Sequence, residues 1–157
     1  MESRLWLKDL AWGERWERVI GLYLFFNGVS EMTYNNDSRY DIKGVYKSNV
    51  TKFEIKSDRY KNTGNMALEI YDNGKLSGIS VSEADVFIYN YTNISELYVY
   101  LFFIPLVELK KVLKDNESKL NIIKGGDDKE ASIILLPMAE YKEYFKVVKL
   151  PKVEWYM

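Results

Sequence analysis

The chain has 157 residues, 47% of them hydrophobic and 15% aromatic, which is enough for one domain with its own core and short for two. Lysine and arginine number 22 against 23 aspartates and glutamates, a net charge of −1, so any attraction to phosphate must be local. With neither cysteine nor histidine, disulfides, thiolate or imidazole metal sites and Ser-His or Cys-His nucleophile pairs are excluded, and carboxylates around a hard cation with a lysine nearby are the most economical chemistry left.

In chain order, Met1 to Trp12 mixes charges and tryptophans and has no signal-like apolar stretch. Between Asp9 and Asn27, Trp12, Trp16, Val19, Ile20, Tyr23 and Leu24 recur at steps of three and four, which predicts an amphipathic helix ending at Asn27-Gly28. Trp12 and Trp16 read as packing residues. Residues 40–46 and 51–57 predict a hairpin turning at Lys47-Ser48-Asn49. Met66 to Tyr71 predicts a third strand stopped by Asp72-Asn73-Gly74, Ser80 to Ala84 a helical turn, and Asp85 to Tyr91 a fourth strand.

Leu97 to Ile104 is apolar on both faces, as in a strand in the middle of a sheet. The apolar run ending at Val107 is about half the roughly 20 residues of a membrane-spanning helix, and Pro105 interrupts it, so a soluble, cytoplasmic chain with no membrane partner is expected. Pro105 suits the first turn of a helix reaching Leu113 or Asp115. Beyond it come a loop at Lys124 to Asp127, a strand at Ala131 to Leu136 and a short helix at Met138 to Phe145. The expected fold class is α/β (α+β), a mixed central sheet flanked by helices, in one domain over 1–157 with its core at about 9–104 and additions at 105–157. Richness in lysine, asparagine and tyrosine points to an AT-rich genome and a viral origin, and carries no mechanism.

Acid-x-lysine triplets recur along the chain, five of them opening at Glu54, Glu108, Glu117, Asp127 and Glu140, so the triplet alone means little. Glu108 and Glu140 fall in predicted helices and Glu117 and Asp127 in turns. Glu54 and Lys56 fall on a strand, where alternate side chains share a face roughly 6.6 Å apart while Phe53 and Ile55 point into the core. Asp41 opens the preceding strand, and antiparallel pairing brings it beside Glu54. Two such carboxylates repel each other, and a divalent cation relieves the repulsion. The plainer reading is a pair of exposed salt bridges worth less than about 1 kcal/mol each.

These residues resemble the PD-(D/E)XK, restriction-endonuclease-like nuclease superfamily over about residues 13–104, in phage, viral or Holliday-junction-resolvase-like form. The resemblance rests on Gly13-Glu14-Arg15-Trp16-Glu17-Arg18, then Asp41, then Glu54-Ile55-Lys56, with Tyr40 where the family's motif has proline. It implies a deoxyribonuclease with Mg2+ or Mn2+ on Asp41 and Glu54, Lys56 as the catalytic lysine, and Glu17 as an added helix acid, with Glu14 the second choice. It also implies DNA as partner and allows a homodimer, since one active site cuts one strand. Two other readings stay open: a non-catalytic nucleic-acid-binding module, and a nucleotidyltransferase-like phosphotransferase.

Downstream, Thr63-Gly64-Asn65, Glu69, Ser77-Gly78-Ile79 and Ser82-Glu83-Ala84-Asp85 form a dense polar and glycine series. Asn65, Glu69, Ser77, Ser82 and Asp85 are its accessory candidates, read against ordinary turns. Glu69 is expected on the side of the site because Leu68 and Ile70 take the core side. Residues 39–61 hold seven basic and three acidic side chains, a net charge of +4. Arg39, Lys43, Lys52, Arg59 and Lys61 are the candidate nucleic-acid contacts of this ribbon, where tyrosines are interleaved.

Overall fold

The long first helix lays one stripe on a sheet whose opposite face meets a second sheet, and the candidate site lies at the edge of that arrangement. The computed structural model describes residues 2–58, 63–92, 98–126 and 128–151, with side chains described from Leu10 onward and not for Thr92. Helix α1 spans Glu2–Phe26, starting before the predicted Asp9, and Trp16, Val19, Ile20 and Leu24 form its buried stripe. Trp12 and Trp16 meet edge to face at 5.9 Å, as packing residues do.

Strands β1 (Ser30–Tyr34), β2 (Ile42–Tyr46), β3 (Asn49–Asp58), β6 (Val86–Thr92), β7 (Tyr98–Pro105) and β10 (Lys146–Pro151) form a six-stranded mixed sheet in the order β1-β2-β3-β6-β7-β10. Its one parallel pair is β3 with β6. Strands β5 (Lys75–Leu76), β4 (Asn65–Asp72), β9 (Ala131–Pro137) and β8 (Asn121–Gly125) form a four-stranded antiparallel sheet in that order. Helix α2 (Leu106–Asp115) follows β7 directly, with Pro105 as its N-cap, and α3 (Met138–Tyr141) with a 3-10 turn at Lys142–Tyr144 joins β9 to β10. The α+β class and the mixed central sheet therefore hold. No described helix is long and apolar enough to cross a membrane.

Several placements differ from the sequence expectations. The predicted third strand, β4, belongs to the second sheet, paired with β9, which begins at Ala131, well beyond the first sheet's β7. The expected 124–127 loop overlaps β8, and the helical turn forms at Gly78–Ser80 rather than 80–84. Strand β7 is an interior strand as expected, flanked by β6 and by the edge strand β10. The C-terminal third is woven in, since Leu136, Tyr141 and Phe145 share a core with Phe87, Tyr89, Met66 and Leu68.

Alternation along β3 separates the two faces. Phe53 and Ile55 join Ile42, Ile88, Val99 and Leu101 beneath α1. Glu54, Lys56 and Asp58 take the opposite face, beside Phe87, Tyr89 and Tyr91 of β6 in register. The buried Tyr89 hydroxyl donates to the Asp58 carboxylate at 2.6 Å and accepts from the Ala67 N–H at 3.3 Å, which ties the two sheets together.

Candidate active site

The β2–β3 hairpin closes through two residues, Lys47 and Ser48, both at positive φ (48° and 66°), with Tyr46 opposite Asn49. This is the geometry of a two-residue type I′ turn, whose twist matches that of paired strands. The resulting register places Ile42 opposite Phe53, with Asp41 one residue before the strand begins.

Asp41 ends the pairing with its own side chain. Its N–H donates to the Phe53 carbonyl at 2.9 Å, while its carboxylate oxygen Oδ2 accepts the Ile55 N–H at 2.6 Å. The carbonyl of Asp41, released from the ladder, accepts from the Asn35 N–H at 2.8 Å. The carboxylate thus stands at the rim of the sheet, where charges on both faces reach it. Burial pushes the Asp41 carboxyl above its ordinary value, against the opposing pull of the Ile55 N–H and the Lys56 ammonium.

Glu54 is half-buried on the face toward the second sheet. Burial first, then the Asp41 charge, push its carboxyl up to about 8, while Ser82 and Lys56 pull the other way. Ser82, 6% exposed, has Oγ 3.0 Å from Glu54 Oε2 and 3.1 Å from the Arg39 carbonyl, and it accepts the Ala84 N–H at 3.3 Å. Glu17 reaches the same field from α1: burial and then Asp41 and Glu14 push it up to about 7. Glu14 itself is exposed. Lys56 is exposed, and its charge favours ionisation of both Asp41 and Glu54.

A cavity of about 100 Å³ opens beside Glu54 and Lys56, and Glu69, Gly78, Ile79 and Phe87 complete much of its wall. Glu69 lines this cavity, and Ser77 Oγ donates to its Oε1 at 2.7 Å. Gly78, at φ +51°, sets its backbone so close to the Glu69 carbonyl that a Cβ would collide with it. Two other accessory candidates, Asn65 and Asp85, lie elsewhere. Asn65 starts β4 in a turn with Thr63 and does not line this cavity. Asp85 spends its backbone and carboxylate on Lys52, with Oδ2 accepting the Lys52 N–H at 2.8 Å.

The basic ribbon is partly committed. Arg39 pairs with Asp37 at 2.6 Å, which holds the Asp37 carboxyl far below its usual range. The Lys52 ammonium sits 5.1 Å over the Tyr40 ring and 3.9 Å from Glu83. Lys43 lies directly opposite Lys52 on the site's face. Arg59 and Lys61 fall outside the described residues.

Among the described residues no group of three or more carboxylates is arranged to hold one metal ion. The donor chemistry nevertheless fits a hard cation. Asp41 and Glu54 are oxygen donors, both desolvated, with the Asp41 charge adding to the rise at Glu54, and magnesium commonly takes one or two protein carboxylates with water in its remaining positions. Sequence reasoning missed the Asn35–Asp37–Arg39 loop that holds Asp41's carbonyl. Four short polar side chains in succession, Asn35-Asn36-Asp37-Ser38, were its available signal.

No family model, curated protein or solved structure matches the chain.

Proposed function

We propose that this protein hydrolyses phosphodiester bonds in DNA, using Mg2+ or Mn2+ held by Asp41 and Glu54. The observation that carries the reading is the desolvated pair of Asp41, just before β2, and Glu54 of β3, with Glu54 pushed up to about 8 and a lysine two residues along the same face. Such a pair is unfavourable unless something positive joins it, and structural salt bridges do not raise both carboxyls. A bound cation would supply Lewis acidity and a water of lowered pKa.

The chain's own groups divide the remaining work. Lys56 offers a mobile ammonium to a phosphate oxygen or the attacking water, stabilising charge that develops during cleavage. Ser82 fixes the rotamer of Glu54 through its hydroxyl. Glu17, whose carboxyl burial pushes up to about 7, adds a further acidic group to the field around Asp41. Lys43 extends positive charge along the same face for the phosphate backbone.

Purified protein incubated with duplex, junction, flap and single-stranded DNA, with and without EDTA, tests this. Cleavage with magnesium or manganese that EDTA abolishes is expected. Tight binding unaffected by chelator and without cleavage would instead identify a recognition module, and label transfer from a nucleoside triphosphate would identify a nucleotidyltransferase.

A further inference from the structure

Each of the two sheets ends in two edge strands, and three of these four edges are blunted. Strand β5 is two residues long, β1 carries a register shift between Ser30 and Thr33, and β10 presents Lys146, Lys149 and Pro151. Strand β8 differs. Its Ile122 and Ile123 are 59% and 42% exposed, and Lys124 turns its ammonium onto Ser132 Oγ of β9 at 3.0 Å instead of guarding the edge. Among the described residues β8 pairs with β9 alone, so the N–H and C=O groups along its outer side have no strand partner.

Beside this edge a groove of about 420 Å³ runs between α2 and the second sheet. Ile122 stands opposite Ile134 of β9, and with Ile79 and Leu113 they give the groove an aliphatic floor. Lys110 and Lys114, one turn apart on α2, flank it together with one acid, Glu117. Among the described residues neither of these ammonium groups has an ion-pair partner. Residues 110–124 hold five lysines against Asp115 and Glu117, a net charge of +3 in a chain whose total is −1. A second copy brought to this edge would meet its own positive charge, whereas an acidic segment complements it.

We propose that the β8 edge and this groove dock an extended acidic peptide segment of a partner protein, which joins the second sheet as a further strand. Paired about 4.8 Å from β8, the segment satisfies the outer backbone groups and lays alternate side chains on the groove face beside Ile122 and on the other face beside Ile123. A short apolar run suits both isoleucines. Acids two residues to either side of the one beside Ile122 fall on the groove face, the face of Lys110 and Lys114. Docking at β8 asks nothing of Glu54 and Lys56, so it stands whether or not the chain cuts DNA.

The probe is a fluorescein-labelled, end-capped peptide of three valines between two pairs of glutamates, titrated with the full chain at low salt and read by fluorescence anisotropy. Saturable binding is expected. N-methylation of the valines, which removes the donors a strand needs, should weaken it at least about tenfold, and so should replacement of the glutamates by lysines. Lys110→Glu combined with Lys114→Glu, and separately Ile122→Glu, alter exposed positions and should each cost about tenfold in affinity with the circular dichroism spectrum unchanged. Absence of saturable binding by wild type, or binding that survives N-methylation or the lysine reversals, would overturn the proposal. Self-association in sedimentation that Ile122→Glu abolishes would assign the edge to a second copy and overturn the acidic partner.

Discussion

Ser82 has one hydroxyl proton and two acceptors within reach, Glu54 Oε2 and the Arg39 carbonyl. The Arg39 carbonyl also accepts the Glu83 N–H at 2.7 Å, so it stays satisfied when the hydroxyl turns to an ionised Glu54. Ser82→Ala therefore removes support for the charged form of Glu54. Its cleavage rate should fall about tenfold, the acid limb of the pH–rate profile should move to higher pH, and stability should drop by about 1 kcal/mol as the Ala84 N–H loses its acceptor. An unchanged pH profile would leave Ser82 a purely structural residue. Burial makes a second prediction. Glu54 rises from 4.5 unfolded to about 8 folded, so between those values the folded state holds a proton that the unfolded chain has released. Without a divalent cation, stability should decline as pH rises through that window. Glu54→Gln should melt higher than wild type at pH 8 in EDTA, and an equal or lower melting temperature there would contradict the burial of this charge. The trio of Asp41, Glu54 and Lys56 was legible in the sequence because Phe53 and Ile55 mark the buried face of β3 and leave the alternate positions to the site. The role of Ser82 was not, because its partner lies 28 residues upstream and is reached only through tertiary packing.

The hairpin was legible for the same alternation, whereas its turn was read one residue too long, since Lys47-Ser48 lacks the Asn-Gly signature of a type I′ turn. Strand β1 left no signal because four of its five residues are exposed, so no apolar alternation announces it. Strand β8 was hidden by Gly125-Gly126 and by Ile122 and Ile123, which are both exposed on an edge strand. The assignment of β4 to a second sheet could not be read, because alternation reports which side of a strand is buried and not which strand it pairs with. The 3-10 turn at Gly78–Ser80 serves the site through Gly78. Gly78→Ala adds a methyl where the Glu69 carbonyl already stands and forces a residue with a Cβ to positive φ, so it should cost about 1–3 kcal/mol and release Glu69 from Ser77. A variant of unchanged stability, measured by chemical denaturation, would show that this turn does not constrain Glu69.

Across the molecule, the six-stranded sheet is covered on one face by α1 and on the other by the second sheet, so the carboxylates are desolvated although they sit at a strand end. Strand β10 pairs with Tyr98 to Phe103 of β7 and shields that edge. Truncation after Phe145 should expose that edge and produce concentration-dependent aggregation by light scattering, while a monodisperse truncated protein would show the edge to be protected otherwise. With a net charge of −1, the DNA binding that the proposed function requires would come from the local ribbon, and it should weaken steeply as salt rises. The central claim is that Asp41 and Glu54 together make phosphodiester cleavage possible, and the most direct measurement is the single-turnover rate of magnesium-dependent DNA cleavage by Glu54→Gln beside wild type at pH 8. The account predicts a loss of at least about a hundredfold with the fold intact; a variant that cuts as fast as wild type would contradict it.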